Sequence, residues 1–399
     1  MADDVNRSVA ADSDTSLRIL TVAACPLPAR RGTPIRIFRL AEALNDIGHQ
    51  VDVLAYHLGD EDPVPRFNLR RINDVRWYQR MTAGPSYTKL LVDWRLARDL
   101  KQLLAQQSFD VIHAHHYEGL ICALYANRKT RLPIMFDVHT LLSSELPSYS
   151  LMLPDFAKRF LGKLIDNWLP RRATHIIAVS ENIEQRLVTE FNCDISRISV
   201  VPNGMETIFL SICRSKQVGA PIVLFTGNLA AYQDIGVLLE AYSLLKERHP
   251  RPVLRIVTDD DFAPYQERLN ELDIVDSVEI FSGEFENLLE HLASAAVAVN
   301  PRRICDGIPQ KLLNYMAASC PVVSFKGSAR HIVHNESAWI AEEPTAACLA
   351  QGIDELLDDP QRAKKLGVAA SQVVRNEMSW VRAARDIESI ARRLVGNDK

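Results

Sequence analysis

The sequence predicts an α/β protein built as two Rossmann-like, doubly wound parallel-sheet domains facing a central cleft. Three observations point there. Short apolar, β-branched runs recur along the chain with helical stretches between them, the pattern of parallel sheets with crossover helices. The runs fall into two groups separated by a turn and a connector. At 399 residues the chain is long enough to bury two cores.

In the first group, strands are predicted at Leu17–Ala23, Val51–Ala55, Val75–Met81, Val111–Ala114, Ile134–Asp137, His175–Val179 and Ile198–Val201. Between the first two, Ile37, Leu40, Ala41 and Leu44 form one apolar stripe at helical spacing. The turn Pro202-Asn203-Gly204 closes this group, and Glu206 to Pro221 reads as the connector. In the second group, strands are predicted at Ile222–Thr226, Val253–Val257, Ser277–Phe281, Ala296–Asn300, Val322–Phe325 and Trp339–Ala341. A last helix, about Met378 to Leu394, has no strand after it. Residues 1–16 are acidic and lack an apolar core segment, so they read as a disordered leader and not as a signal peptide. Two such sheets turn the carboxyl ends of their strands toward a shared ligand site.

Composition removes several functions. A formal net charge of −4 argues against a dedicated nucleic-acid binder, which needs a strongly basic face. No run of eighteen apolar residues is present, so no membrane span is expected. Seven cysteines, odd in number and without a C-x-x-C pair, fit free thiols in a reducing cytoplasm. No G-x-G-x-x-G follows a strand, which weakens a dehydrogenase reading. His113, His115 and His116, like His331 and His334, have no cysteine or carboxylate at a familiar metal-site spacing, so no metal site is expected. Asp259-Asp260-Asp261 reads as a loop after a strand, with no Asp-x-Asp element placed to hold Mg²⁺.

The most informative stretch is Asn300 to Phe325: a strand end, a polar loop, a short helix opening at Pro309, a small-residue turn and a second buried strand. Proline suits the first helical position because its missing N–H would be unpaired there anyway. The helix N-terminus then presents free N–H groups beside Arg302, Arg303 and Lys311, a combination suited to phosphate. Asp306 and Asn314 are placed to add hydrogen bonds from the loop and the second helical turn. An ordinary helix-to-strand unit is the alternative for this segment taken alone.

The arrangement resembles the donor-nucleotide motif of the family 4 glycosyltransferases, with their Glu-x7-Glu, Ala-Met-Ala and Pro-Val-Val. Here the register gives Asp306, Asn314, Met316-Ala317-Ala318 and Pro321-Val322-Val323. Other segments keep that family's order. Pro28 to Val53 is similar to its strand, glycine loop, helix and Gly-His-x-Val. Asp110 to His116 and Phe136-Asp137-Val138-His139 are similar to its fourth and fifth strand endings. Ala178-Val179-Ser180, Val201-Pro202-Asn203-Gly204, Phe225-Thr226-Gly227-Asn228 and Leu238-Leu239-Glu240-Ala241 continue the likeness. It covers roughly Leu17 to the C-terminus. It implies the GT-B fold, with residues 17–205 as an acceptor-side domain completed by the final helix 378–397, and residues 206–377 as the nucleotide-sugar domain.

The resemblance also implies the chemistry: a metal-independent, retaining transfer from a nucleoside-diphosphate sugar to a hydroxyl of a glycan or lipid-linked acceptor. No cofactor is implied beyond that co-substrate. His139, Asp137 and Asp306 are the implied catalytic residues. Gly227, Asn228, Gln233, Arg302, Pro309, Lys311 and Asn314 would bind the donor, and Gly32, Thr33, Arg36 and His115 would form the acceptor-side loop. His139, following a strand, would hydrogen-bond the donor sugar, with Asp137 orienting it; a histidine satisfied by nearby backbone is the alternative.

The departures are specific. Members of the family place Arg after the glycine at 227 and Lys-Gly near the next helix start; here Asn228 and Gln233-Asp234 stand there. The ribose-gripping carboxylate is Asn314, and its partner is shortened to Asp306. These changes, with Pro301-Arg302 and Pro309-Gln310-Lys311, resemble a sub-branch in which Lys311 and Arg302 carry the diphosphate charge. Two rivals accompany this reading: a GT-B epimerase or hydrolase of sugar nucleotides, and a catalytically weak partner subunit.

From Pro154 to Arg172, Phe156, Phe160, Leu164 and Trp168 recur at helical spacing with Lys158, Arg159, Lys163, Arg171 and Arg172 between them. The pattern fits either peripheral contact with an anionic membrane, at the inner face of the plasma membrane, or a core-packed helix with a solvated face.

Overall fold

The computed structural model describes residues 16–397 except 30–31, 62, 77, 79–86, 149–152, 215–218, 246–251 and 284. The predicted leader lies outside them, save Ser16, whose Oγ donates to the Gly48 carbonyl at 2.8 Å.

The first half runs β1 (Arg18–Ala23), α1 (Gly32–Asp46), β2 (Gln50–Ala55), β3 (Asn68–Arg71), α2 (Tyr87–Gln106), β4 (Val111–His115), α3 (His116–Ala126) and β5 (Ile134–Val138). It continues through α4 (Leu142–Glu145), α5 (Asp155–Trp168), β6 (His175–Ala178), α6 (Glu181–Thr189) and β7 (Ile198–Val200). The second half runs β8 (Ile222–Thr226), α7 (Ile235–Ser243), β9 (Val253–Val257), α8 (Gln266–Glu271), β10 (Val278–Phe281), α9 (Phe285–Ser294) and β11 (Val297–Asn300). It ends with α10 (Gln310–Ala317), β12 (Val322–Phe325), β13 (Trp339–Ala341), α11 (Ala346–Asp358), α12 (Pro360–Glu377) and α13 (Trp380–Asn397).

Both sheets are parallel and doubly wound, in the orders β3-β2-β1-β4-β5-β6-β7 and β10-β9-β8-β11-β12-β13. Their central strands are buried on both faces, which is why they read as unbroken apolar runs. Strand order reverses between β1 and β4 and again between β8 and β11. Ligands of such sheets bind outside the carboxyl ends at that reversal. Helices α2, α3 and α6 cover one face of the first sheet. On the other face, α1 packs against α13 through Ile37, Leu40 and Leu44 on one side and Trp380, Ala384, Ile387 and Ala391 on the other. The final helix of the chain therefore completes the core of the first sheet.

One predicted strand is misplaced. The edge strand paired with β2 is Asn68–Arg71, through Asp52↔Asn68 to Ala55↔Arg71, and not Val75–Met81. Of the latter, Val75, Arg76 and Tyr78 form a turn, and the rest lies outside the described residues. Val75 and Tyr78 supply apolar area to the core from a loop, which gives the segment a strand-like composition. The true edge strand is short and polar, as exposed edges are.

Candidate active site

The site is built where both strand orders reverse. On the first sheet, β5 carries Asp137 to a position with no solvent exposure at all. Its carboxylate receives Arg36 Nε at 3.1 Å and Arg36 Nη2 at 2.9 Å, while Arg36 Nη1 reaches Asn203 Oδ1 at 3.0 Å. His113 Nε2 lies 3.2 Å from Asp137 Oδ2, and an ionised carboxylate only accepts, so that nitrogen carries the proton. His139 Nε2 sits 3.5 Å from Asp137 Oδ1 and 3.2 Å from His115 Nδ1. Burial alone would raise the Asp137 pKa, but Arg36 above all, then the surrounding histidines, holds it well below the usual carboxylate range. Burial pushes His139 and His115 well below the usual imidazole value, so both rings are neutral near pH 7.

Gly32, Thr33 and Arg36 stand in the first turns of α1 rather than in a loop. Nothing lies within 4 Å of where a Gly32 side chain would begin, which leaves space for a ligand. Arg36 is turned inward and is fully buried, so it shapes the site through Asp137. His116, beyond β4, adopts a left-handed backbone (φ 61) and stacks its ring on His139, with centroids 4.8 Å apart. A non-glycine residue held there is strained, and such strain collects at functional sites.

His113, His115 and Asp137 bring ligand atoms within 4.8 Å of one another, close enough to hold a metal ion. Arg36 already engages both oxygens of Asp137, however, and would set a fixed positive charge against any cation bound there. The donor set fits an internal ion-pair network better than a metal centre. The Asp259, Asp260 and Asp261 carboxylates each accept a backbone N–H, from Gly283, Leu229 and Ala263.

On the second sheet, Gly227 directly follows β8 with φ at +123, a conformation side chains rarely adopt. Its open face lies 3.6 Å from Lys311 Nζ, measured from where a Cβ would sit. Lys311 is buried on α10, 3.9 Å above the Phe225 ring, and donates to Gln233 Oε1 at 2.6 Å. Gln233 in turn donates to Asn228 Oδ1 at 3.2 Å. Burial first, then the nearby Arg302 guanidinium, pushes the Lys311 pKa well below its ordinary value. Arg302 stacks 4.7 Å over Tyr232, whereas Arg303 is already paired with Asp234.

Helix α10 starts one residue later than its sequence suggests, with Pro309 as its N-cap residue. The Pro309 carbonyl accepts from Leu312 N at 2.9 Å, so the Gln310 and Lys311 N–H groups lie ahead of the helical ladder. Proline suits this place because the cap keeps an extended ψ of 125°, which the ring permits. Along the same helix, Asn314 Oδ1 and both polar atoms of the Gln310 amide are buried without a partner.

Asp306 is drawn across the cleft. Its Oδ1 accepts from Arg186 Nη1 at 3.0 Å and Asn182 Nδ2 at 3.2 Å, and its carbonyl from Ser180 Oγ at 2.5 Å. Ser180, Asn182, Arg186 and Gln310 join the candidate site although sequence reading did not single them out, and His116 enters that reading only as part of the histidine run. Arg186 could not stand out: with Glu190 four residues on, it looks like a solvated surface pair. Gln310 did leave a signal, a polar side chain directly after the helix-opening proline.

Helix α5 presents its aromatic stripe outward. Phe156 is 75% exposed, Phe160 64% and Trp168 57%. The helix is anchored instead by its opposite side, where buried Asp166 accepts from Tyr117 Oη and from Leu142 and Ser143 N. This disposes of the core-packed reading. No helix among the described residues is long and apolar enough to cross a membrane.

The sequence profile of Glycosyltransferase Family 4 matches residues 30–208, and that of Glycosyl transferases group 1 matches residues 220–359. A D-inositol 3-phosphate glycosyltransferase of Pseudarthrobacter chlorophenolicus is 24% identical over 384 residues, 88% of each chain. A glycogen synthase of Mycobacterium tuberculosis is 24% identical over 387 residues, 91% of this chain and 92% of that one. Among solved structures, sucrose-phosphate synthase from Thermosynechococcus elongatus superposes with a TM-score of 0.81 at 17% identity, covering 96% of this chain and 100% of that one. Anabaena HepE in complex with UDP-glucose superposes with a TM-score of 0.74 at 15% identity, covering 94% and 99%. These two likenesses show the fold, GT-B.

Proposed function

The chain belongs to the family 4 glycosyltransferases, retaining enzymes that use nucleotide sugars, and we propose how its altered site serves that reaction. The donor is a nucleoside-diphosphate sugar whose diphosphate rests on the Gln310 and Lys311 N–H groups, the Lys311 amine and Arg302. One observation carries this reading: the Lys311 amine meets Gln233, the position where the family's own lysine would stand. The missing cation is thus supplied from α10, and the altered residues are those of a working sub-branch. Fixed N–H dipoles and cations stabilise the charge that develops on a leaving diphosphate, and they do so without a metal ion.

His139, neutral and braced by Asp137 and His115, hydrogen-bonds the donor sugar on the first-sheet side. Asn314 Oδ1 and the Gln310 amide, all unpartnered, are offered to the nucleoside and the sugar. Asp306 faces the donor sugar with Oδ2. The acceptor hydroxyl approaches from the α1 side, past Gly32 and Thr33. Glycan and lipid-linked acceptors both suit the exposed α5 stripe, which with Arg159, Lys163, Arg171 and Arg172 fits the surface of an anionic bilayer.

A thermal-shift panel of UDP-, GDP-, ADP- and CDP-sugars tests donor binding directly, since a ligand of the native state must raise its stability. UDP-glucose is the first to try, being the ligand of HepE. A rise with one base and none with the others supports the reading; no rise with any of them contradicts it.

A further inference from the structure

Asp306 is 6% exposed, and its two oxygens are not equivalent. Oδ1 is doubly engaged by Arg186 and Asn182 from α6. Oδ2 is buried without a partner. A buried carboxylate oxygen left unmade is costly, so an orphan in a cleft marks the place of a missing donor group. The geometry around it is fixed from the opposite half of the molecule. Arg186 is itself held by Glu190 at 2.7 Å and by Ser144 Oγ at 2.6 Å, so its guanidinium has one orientation. Ser180 binds the Asp306 carbonyl, and Gly307 sits so close that a Cβ there would lie 3.1 Å from the His139 carbonyl and 3.2 Å from Val179. The 306–307 turn is thereby seated beside His139.

We propose that Arg186 is a positioning residue for donor-sugar recognition. From the first half it fixes Oδ1 of Asp306, leaving Oδ2 as the free acceptor for one hydroxyl of the transferred sugar. The assignment rests on Asp306 facing the donor sugar, as proposed above. Its consequence is a division of labour. The nucleoside diphosphate is read by the second half alone, through α10 and the loop after Gly227. The sugar is read in full only when both halves are together, because the carboxylate that takes one of its hydroxyls is aimed by the other half. Sugar choice and cleft closure are therefore linked through one ion pair.

The test compares a nucleotide with its sugar conjugate, UDP against UDP-glucose or GDP against GDP-mannose, on the full chain by calorimetry. Arg186→Gln should weaken the sugar conjugate about tenfold, the scale of one charged hydrogen bond, and leave the free diphosphate within about twofold of wild type. Arg186→Lys, which keeps the charge, should recover part of the loss. Combining Arg186→Gln with Asp306→Asn should cost the conjugate no more than Asp306→Asn alone, since both remove one aimed oxygen. Equal loss of diphosphate and conjugate, no loss of either, or additive losses would overturn the proposal, and a melting temperature for each variant separates these from misfolding. Should Asp306→Asn alone leave the conjugate's affinity intact, it is the sugar-facing role of Asp306 that fails. A wild type that binds neither pair would overturn the donor-site reading itself, and this inference with it.

Discussion

Arg36 Nη2 donates to Asp137 Oδ2 at 2.9 Å with neither side chain exposed to solvent. Around this pair stand His113, His115 and His139, so one buried ion pair fixes the polar floor of the first-sheet half of the cleft. Removing one partner leaves an uncompensated buried charge. Arg36→Met is expected to cost about 3–5 kcal/mol of stability, read from urea unfolding.

The same cluster sets a pH dependence. His115 and His139 are held neutral in the fold, below the ordinary 6.5, by burial. The unfolded chain therefore binds more protons once pH falls through that value, and their contribution is present above it and lost below. Stability should decline as pH drops from about 7 to about 5. Asp137, whose folded pKa is depressed, keeps its contribution through that window and loses it only in stronger acid. The check is the urea midpoint across the range; His115→Gln should flatten its slope, and a wild-type midpoint that does not move would contradict the assignment of buried neutral rings.

On the second sheet, Lys311 and Arg303 make contrasting substitutions. Lys311 is buried beside the free N–H groups of α10, whereas Arg303 is half exposed and paired with Asp234. Lys311→Ala should weaken nucleotide-sugar binding by roughly 1.5–3 kcal/mol. Arg303→Ala should cost less than about 1 kcal/mol. Binding of a diphosphate should also raise the Lys311 pKa, which burial holds below its ordinary value in the free protein. Calorimetry in buffers of different ionisation enthalpy, followed across pH, reads that rise as proton uptake on binding, and Lys311→Met should abolish it.

The α5 stripe predicts binding to a surface. Full-length protein should sediment with vesicles containing anionic lipid and much less with neutral ones. Phe156→Ser together with Phe160→Ser should release it while leaving the melting temperature unchanged, because both rings are already in solvent. Equal sedimentation of the double variant would assign the stripe another role.

The strands were legible because buried parallel strands are unbroken apolar runs; β8 and β12 could hardly be anything else. β3 was not, since Asn68-Leu69-Arg70-Arg71 carries one apolar side chain and an edge needs no more. Lys311 could be picked out because a cation in the first turn after a proline has a local reason to be there. The Arg36–Asp137 and Arg186–Asp306 pairs span 101 and 120 residues, and no local pattern ties such partners together. The histidine run was visible as a run, but its meaning depended on the arginine that faces Asp137 from α1.

The proposed donor site on the second sheet and the proposed chemistry of His139 on the first are tested together by one comparison. His139→Ala should keep donor affinity, measured by calorimetry, within about twofold of wild type while transfer to a competent acceptor falls by two orders of magnitude or more, on the order of the ~3 kcal/mol carried by a group acting in the transition state. A variant that binds donor and turns over normally would show His139 to be structural. A variant that loses donor affinity as steeply as rate would place His139 in ground-state binding and contradict the separation of the two halves.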